Sequence, residues 1–329
     1  AMTLHTIDAE LQERLSHGLH RIVWGVGLRT HHYEIQNDPS GFLGFEPANN
    51  NLLLANLFAQ DTIVLARNLD LTLGLKIERA TYAGWSPLPD LRLAWRAADD
   101  ALVWASASRA IRTPTPFDHD VFEVVPGAIM LTGNPNFRSE KVNAFEIGYR
   151  AQPSDELSYS ASVFYNLYDD LRTVELRPGP PGVLVLQWDN QMRGAAWGFE
   201  AWAKWQATSW WRLSPGVRLL RKRLEYKPGA SAIVGTQEAG NDPSHQWLLN
   251  SSMDLNENLS FDTILRHVGA LPNPGLEGYE ELSASVNQRI GEHLDVSLSG
   301  FNLLHDGHRE TPSGEVIGRS VIAQARWRF

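Results

Sequence analysis

The sequence predicts an all-β fold, an antiparallel transmembrane β-barrel of the outer-membrane type with about 15 strands. Three observations predict it. Apolar and polar residues alternate with a period of two through segment after segment, which is the period of a strand. Most of these runs are ~9 to 14 residues long, against ~5 to 6 in soluble sheets, and that suffices to cross a bilayer. Short polar turns alternate with long loops rich in Gly, Pro and Asn, as when the two rims of a barrel face different compartments.

In chain order, the first predicted strands are IDAELQERL, HRIVWGVGLRTHHYEI, LLLANLFAQDTIVLA, LDLTLGLKIERATY, DLRLAWRAA and ALVWASASRAIR. A hairpin follows. In KVNAFEIGYRA, Phe145, Ile147 and Tyr149 share a face opposite Ala144, Glu146, Gly148 and Arg150. In LSYSASVFYNLYDD, Leu157, Tyr159, Ala161, Val163, Tyr165 and Leu167 oppose Ser158, Ser160, Ser162 and Asn166, and the polar QPSDE between the two runs is a turn. GAAWGFEAWAKWQA, WWRLSPGVRLLRKRLEY, HQWLLNSSMDL, LSFDTILRHVG, EELSASVNQRI and LDVSLSGFNLL come next, and the last strand is VIAQARWRF. There Val321, Ala323, Ala325, Trp327 and Phe329 share one face, opposite Ile322, Gln324, Arg326 and Arg328.

The long connections are QNDPSGFLGFEPANN, TPTPFDHDVFEVVPGAIMLTGNPNFRSE, RPGPPGVLVLQWDNQ, KPGASAIVGTQEAGNDPS and DGHRETPSGEVIG. An Arg or Lys facing mid-bilayer costs roughly 2 to 4 kcal/mol, so the face with Lys76, Glu78, Glu146, Arg150, Arg326 and Arg328 looks inward to water. Phe, Leu, Ile, Val and Ala then look outward to lipid, and Trp210, Trp211 and Trp327 sit near turns or the terminus, as interface residues do. Phe164, Trp202 and Ile322 are apolar residues on the inward face, explained either by packing against a lumen occupant or by a misjudged register.

Composition narrows the function. The chain has a formal net charge of −9 and no basic stripe, which argues against a nucleic-acid partner. It has no Cys, so thiolate metal sites and thiol nucleophiles do not arise. No apolar run approaches the ~20 residues of a membrane helix, a test that barrels escape because only alternate residues face lipid. The opening AMTLHTIDAELQERLSHGLH lacks a charged region followed by an apolar one, so no signal peptide is expected. There is no G-x-S-x-G elbow, H-E-x-x-H, Walker loop or dinucleotide fingerprint, and a catalytic role is not expected.

NLFAQDTIVLARNLDLTLGLKIE, LVWASASRAIRTPTPFD, NPNFRSEKVNAFEIGYR, SVFYNLYDDL, GFEAWAKWQ, SGFNLLHDGHRE and the terminal ARWRF resemble, in order and spacing, the barrel of TonB-dependent outer-membrane receptors. The resemblance covers almost the whole chain. It implies the later part of a 22-stranded barrel, without the plug domain, TonB box and signal peptide of that family. It also implies a Gram-negative outer-membrane location and energised uptake of a scarce solute such as a ferric siderophore or cobalamin. Outer-membrane lipid and the barrel-assembly machinery are the implied partners, with the TonB complex acting only through the missing N-terminal region. Trp327 and Phe329 would be the terminal assembly signal. As a fragment, the chain is expected to be inactive in active transport. A passive porin-like channel or a structural outer-membrane barrel is the alternative.

Counting hairpins back from a last strand directed toward the periplasm gives the first strand the same direction. An odd, antiparallel set cannot close on itself, so either a parallel seam or two open edges is expected. Candidate ligand contacts in the outer loops are His31, His32, Phe42, Phe45, His119, Arg138 and Trp188, through stacking and charge. The Asp118–His119–Asp120 run has two readings, a metal or iron-complex contact and a solvated acidic loop. No ligand spacing supports a resident metal, and no cofactor is expected.

Overall fold

The computed structural model describes residues 1–37, 42–124, 130–179 and 184–329. In chain order the strands are β1 (Met2–His17), β2 (His20–Ile35), β3 (Leu43–Phe45), β4 (Asn49–Ala66), β5 (Leu69–Ala80), β6 (Gly84–Ala98), β7 (Ala101–Arg112), β8 (Val121–Glu123), β9 (Met130–Thr132) and β10 (Glu140–Ser154). They continue with β11 (Leu157–Pro178), β12 (Leu184–Thr208), β13 (Trp211–Tyr226), β14 (His245–Asn256), β15 (Leu259–Val268), β16 (Tyr279–Ile290), β17 (Leu294–Phe301), β18 (Gly307–His308), β19 (Ile317–Gly318) and β20 (Ser320–Trp327). One helical turn, α1 (Pro116–His119), precedes β8.

Fifteen of these are long wall strands, matching the number expected, but the main sheet has 18 because β3, β8 and β9 form inside segments expected to be loops. Each wall strand pairs antiparallel with the next, from β1 through to β20. Among the described residues, β1 and β20 do not pair with each other. Of the two expected outcomes, open edges is the one found. Parity excludes an antiparallel closure: after fourteen antiparallel steps the two end strands point the same way.

Registered partners share a face, which tests the inside-outside assignment. Leu93, Ala105, Ile147, Val163, Phe199 and Leu219 form one continuous row across six strands. On the other face Gly148, Ser162, Glu200, Arg218 and Gln246 form a polar row. At the last strand Trp327 faces out beside Leu294, while Arg326 and Gln324 face in beside Asp295 and Ser297. Cross-strand ion pairs such as Arg266–Glu281 lie on this polar side.

The register also settles the apolar residues on that side: Phe164 sits opposite Glu146, Trp202 opposite Ser160 and Ile322 opposite Ser299, so no slip has occurred. Two rings lie flat on the wall because the facing residue has no Cβ. A Cβ on Gly198 would come within 2.7 Å of the Phe164 ring, and one on Gly148 within 2.4 Å of Trp104.

Strands extend beyond their expected bounds in two places. The stretch between LDLTLGLKIERATY and DLRLAWRAA belongs mostly to β6, despite Pro87 and Pro89. Pairing of β6 with β7 begins only at Asp90, so both prolines lie where one edge of β6 has no registered partner and a missing N–H costs no ladder bond. Likewise RPGPPGVLVLQWDNQ is largely strand, since β11 and β12 run to 22 and 25 residues and leave only 179–183 between them. This long hairpin carries Trp188 beyond the rest of the wall.

A wall one sheet thick, apolar on one face and polar on the other, buries little. The largest fully buried side chains are Tyr33, Phe137, Glu175, Asn190, Asn302, Asp118 and Asp170, five of them polar. The packed core therefore sits at the outer end, where loops fold over the polar face.

Candidate functional site in the outer vestibule

The loop between β7 and β10 folds onto the polar face through three carboxylates. The first is Asp118. Thr115 precedes α1, Pro116 supplies its first residue, and the Asp118 carboxylate accepts from the Thr115 N–H and hydroxyl, both at 2.9 Å. The same carboxylate pairs with Arg112 at 2.9 Å and Arg172 at 3.2 Å, and Arg112 also reaches Glu140 at 2.6 Å. Burial alone would raise the Asp118 carboxyl, but Arg112 and Thr115 outweigh burial and hold it below the usual carboxylate range.

The second is Asp170, which occupies a left-handed turn (φ 57°) at a bulge where the β11–β12 register shifts. It receives Arg138 at 2.8 Å, Lys141 at 2.8 Å and Lys227 at 2.6 Å. Asn190 locks this corner, accepting from the Arg138 N–H at 2.7 Å and donating to the carbonyls of Asp170 and Arg138 at 2.7 and 3.0 Å.

The third is Asp120, which accepts from the phenols of Tyr82 at 2.5 Å and Tyr33 at 3.3 Å. Burial and the neighbouring Asp120 carboxylate push the Tyr82 phenol far above its ordinary range, so it stays a donor. Beyond it the chain builds a small outer sheet: β3 pairs β8, β8 pairs β9, and β9 adds parallel to β12 at Val185–Gln187. This sheet ties the loop between β2 and β4 to the tall β11–β12 hairpin.

These contacts sort the charges by depth. The side chains of Asp118, Asp120, Asp170, Asp189 and Glu140 are at most 18% exposed, whereas Arg112, Arg138, Lys141, Arg172 and Arg177 are 38–56% exposed. Asp169, at 52%, and Lys227, at 20%, are the exceptions. The exposed layer is therefore cationic in a chain of net charge −9. In its middle, the Arg172 guanidinium lies 4.7 Å over the Trp188 ring, with the Phe117 ring 5.7 Å from Trp188. Such a surface can stack a planar group and neutralise an anion at once.

Of the residues singled out from sequence, the structure sets Trp188 in the middle of this layer and Arg138 at its edge. His119 stacks on Tyr82 at 4.3 Å and lies 3.3 Å from Asp120, as part of the loop anchor. Phe45 pairs with Val121 through β3, and Phe42 is exposed beside it. His31 and His32 stand apart: His31 faces inward and bonds Thr6, while His32 faces outward and bonds Asn51. The solvated-loop reading of Asp118–His119–Asp120 is corrected, because both carboxylates are buried and hydrogen-bonded. No group of three metal-ligating side chains occurs among the described residues. Sequence reasoning missed Phe117, Arg112, Arg172 and Arg177. Only TPTPFD, with Pro at a helix start and Asp three residues past Thr, carried a local signal for them.

An antiparallel wall with an apolar outer face, a polar inner face and an inward-folded outer loop defines a membrane-barrel protein of the receptor or channel class. A family model described as "TonB dependent receptor-like, beta-barrel" matches residues 3–303, and the chain belongs to that family. Among solved structures, the siderophore receptor PirA from Acinetobacter baumannii aligns over 100% of this chain and 55% of its own, with 14% identity and a TM-score of 0.78. PirA from Pseudomonas aeruginosa aligns over 100% and 57%, with 19% identity and a TM-score of 0.72. The FrpB iron transporter from Neisseria meningitidis aligns over 100% and 55%, with 16% identity and a TM-score of 0.75. The chain thus spans about half the length of these structures. No match was found among curated proteins.

Proposed function

We propose that this chain forms wall and outer vestibule of an outer-membrane receptor that captures an anionic iron chelate, a siderophore, for TonB-dependent uptake. The observation that carries the reading is the cationic, aromatic layer around Arg172 and Trp188, standing on buried carboxylates at the outer end of a receptor-family wall. Its sign favours a ferric chelate bearing acidic oxygens over a cobalamin. Neighbours in fold that are named siderophore receptors and an iron transporter support the same class.

In this reading the outward face sits in outer-membrane lipid, and the barrel-assembly machinery reads the last strand at Trp327 and Phe329. The TonB complex acts through a region outside residues 1–329, so these residues alone carry out no active transport. The inward-folded loop also suits a passive channel, but the stacked, cationic surface around Arg172 and Trp188 favours capture of a ligand.

The test is ligand binding by the full chain in detergent micelles, read by quenching of tryptophan fluorescence. Ferric catecholate, ferric citrate and cyanocobalamin are the probes. Saturable binding of an anionic ferric chelate, weakened roughly tenfold or more by Arg172→Ala and by Trp188→Ala, is expected from the loss of a cation–π and stacking site. Equal affinity in both variants, or preference for cyanocobalamin, refutes the assignment.

A further inference from the structure

The outward face of β11–β13 carries a second site. A shallow groove of about 730 Å³ runs between Ile147, Val163, Tyr165, Trp197 and Leu219 and ends at Arg221. The register fixes the order of its parts. Phe145, Tyr165, Trp197 and Arg221 form one row on the apolar face, two residues outward from the row of Ile147, Val163, Phe199 and Leu219. Tyr165 and Trp197, with ring centroids 6.3 Å apart, are the aromatic belt of that end, and Arg221 stands beside it.

Arg223 is the next residue outward on the same face of β13, about 7 Å further along the strand. Its side chain is 77% exposed. Glu225 follows and is shared with Arg193 at 2.7 Å and Arg223 at 3.7 Å, which leaves this end of the hairpin with three guanidiniums and one carboxylate. Among the described residues, Arg221 makes no carboxylate contact. One of its terminal nitrogens donates to the carbonyls of Leu220 and Ser244, and the rest of the fork is free.

An apolar groove that ends in a free guanidinium fork at belt height matches an amphiphile with an acyl chain and an anionic head. We infer that Arg221 and Arg223 clamp the phosphate of an outer-leaflet lipid whose acyl chain lies in the groove below. Guanidinium binds phosphate oxygens in pairs, and at the membrane interface the contact is only partly screened by water. The inference rests on the outer-membrane reading above and assigns to that outward face a headgroup partner distinct from the vestibule ligand.

The test uses the full chain in micelles, titrated with diphosphorylated lipid A, with its dephosphorylated form and with inorganic phosphate, and read by native mass spectrometry. Lipid A should be retained at least tenfold more tightly than either other probe. The double substitution Arg221→Gln with Arg223→Gln should remove that preference, while Arg212→Gln, on the polar face, should not. Lipid A binding unchanged in the double variant overturns the inference, as does equal binding of the dephosphorylated lipid or of phosphate alone. Ferric-chelate binding measured on the same samples reports the vestibule separately: its absence with lipid A selectivity intact overturns the receptor reading and leaves this one standing.

Discussion

Ile147 gives the sharpest test of the wall. It lies seven residues from each end of β10, is 53% exposed, and is flanked on the apolar face by Ala105 and Val163. Seven residues of a strand tilted ~45° span about 17 Å along the membrane normal from the turn after Ser154, and the Tyr165–Trp197 row lies about 5 Å beyond Ile147, which puts Ile147 in the outer half of the apolar band. Ile147→Arg should destabilise the inserted state by about 1 to 3 kcal/mol, between the cost of an arginine at the midplane and at the interface. Glu146→Arg places the same charge one residue away beside Ser106 and Phe164 on the watered face, and should cost under about 1 kcal/mol. Urea titration of the chain in phospholipid vesicles, followed by tryptophan emission, separates the two, since a loss of about 1 to 3 kcal/mol lowers the midpoint while the slope stays constant. Equal costs, or a larger one at Glu146, would refute the face assignment.

Asp118→Asn should release the inward-folded loop. Its two guanidinium partners are half in water, so the expected cost is about 1 to 3 kcal/mol, below the figure for a fully buried pair. Hydrogen exchange over residues 113–124 should then quicken roughly 5- to 150-fold. No change there would remove Asp118 as the anchor. Because the folded carboxyl is held below its unfolded value, its stabilisation is fully present above about pH 4 and is lost as pH falls through the folded value. Loop protection that fades already between pH 7 and 5 would contradict that sign. Phe329 is fully exposed beyond β20. Its deletion should lower the amount of chain inserted in outer membranes of expressing cells without lowering synthesis, and unchanged insertion would deny it a signalling role.

The wall was legible in the sequence because a strand's period of two is local: each of Phe145, Glu146, Ile147 and Gly148 declares its side without reference to a distant residue. The same parity gave the fifteen long strands and the parallel sense of the first and last. Phe164 and Trp202 looked like errors in that pattern, since the glycine under a ring is known only once two strands are in register.

The vestibule was not legible, for the opposite reason. Asp118, Arg112, Glu140 and Arg172 come from one loop and three strands, and Asp170 gathers cations from β10, the loop before it and the loop after β13. A DHD run in a loop reads as solvated acid until the partners that bury it are brought over it. The sequence by itself determined the strands, their faces and their direction, all set by alternation along the backbone. Only the tertiary structure decided which charges are covered and which are presented. That depends on contacts between residues up to 87 positions apart, such as Tyr33 and Asp120, which no local period encodes.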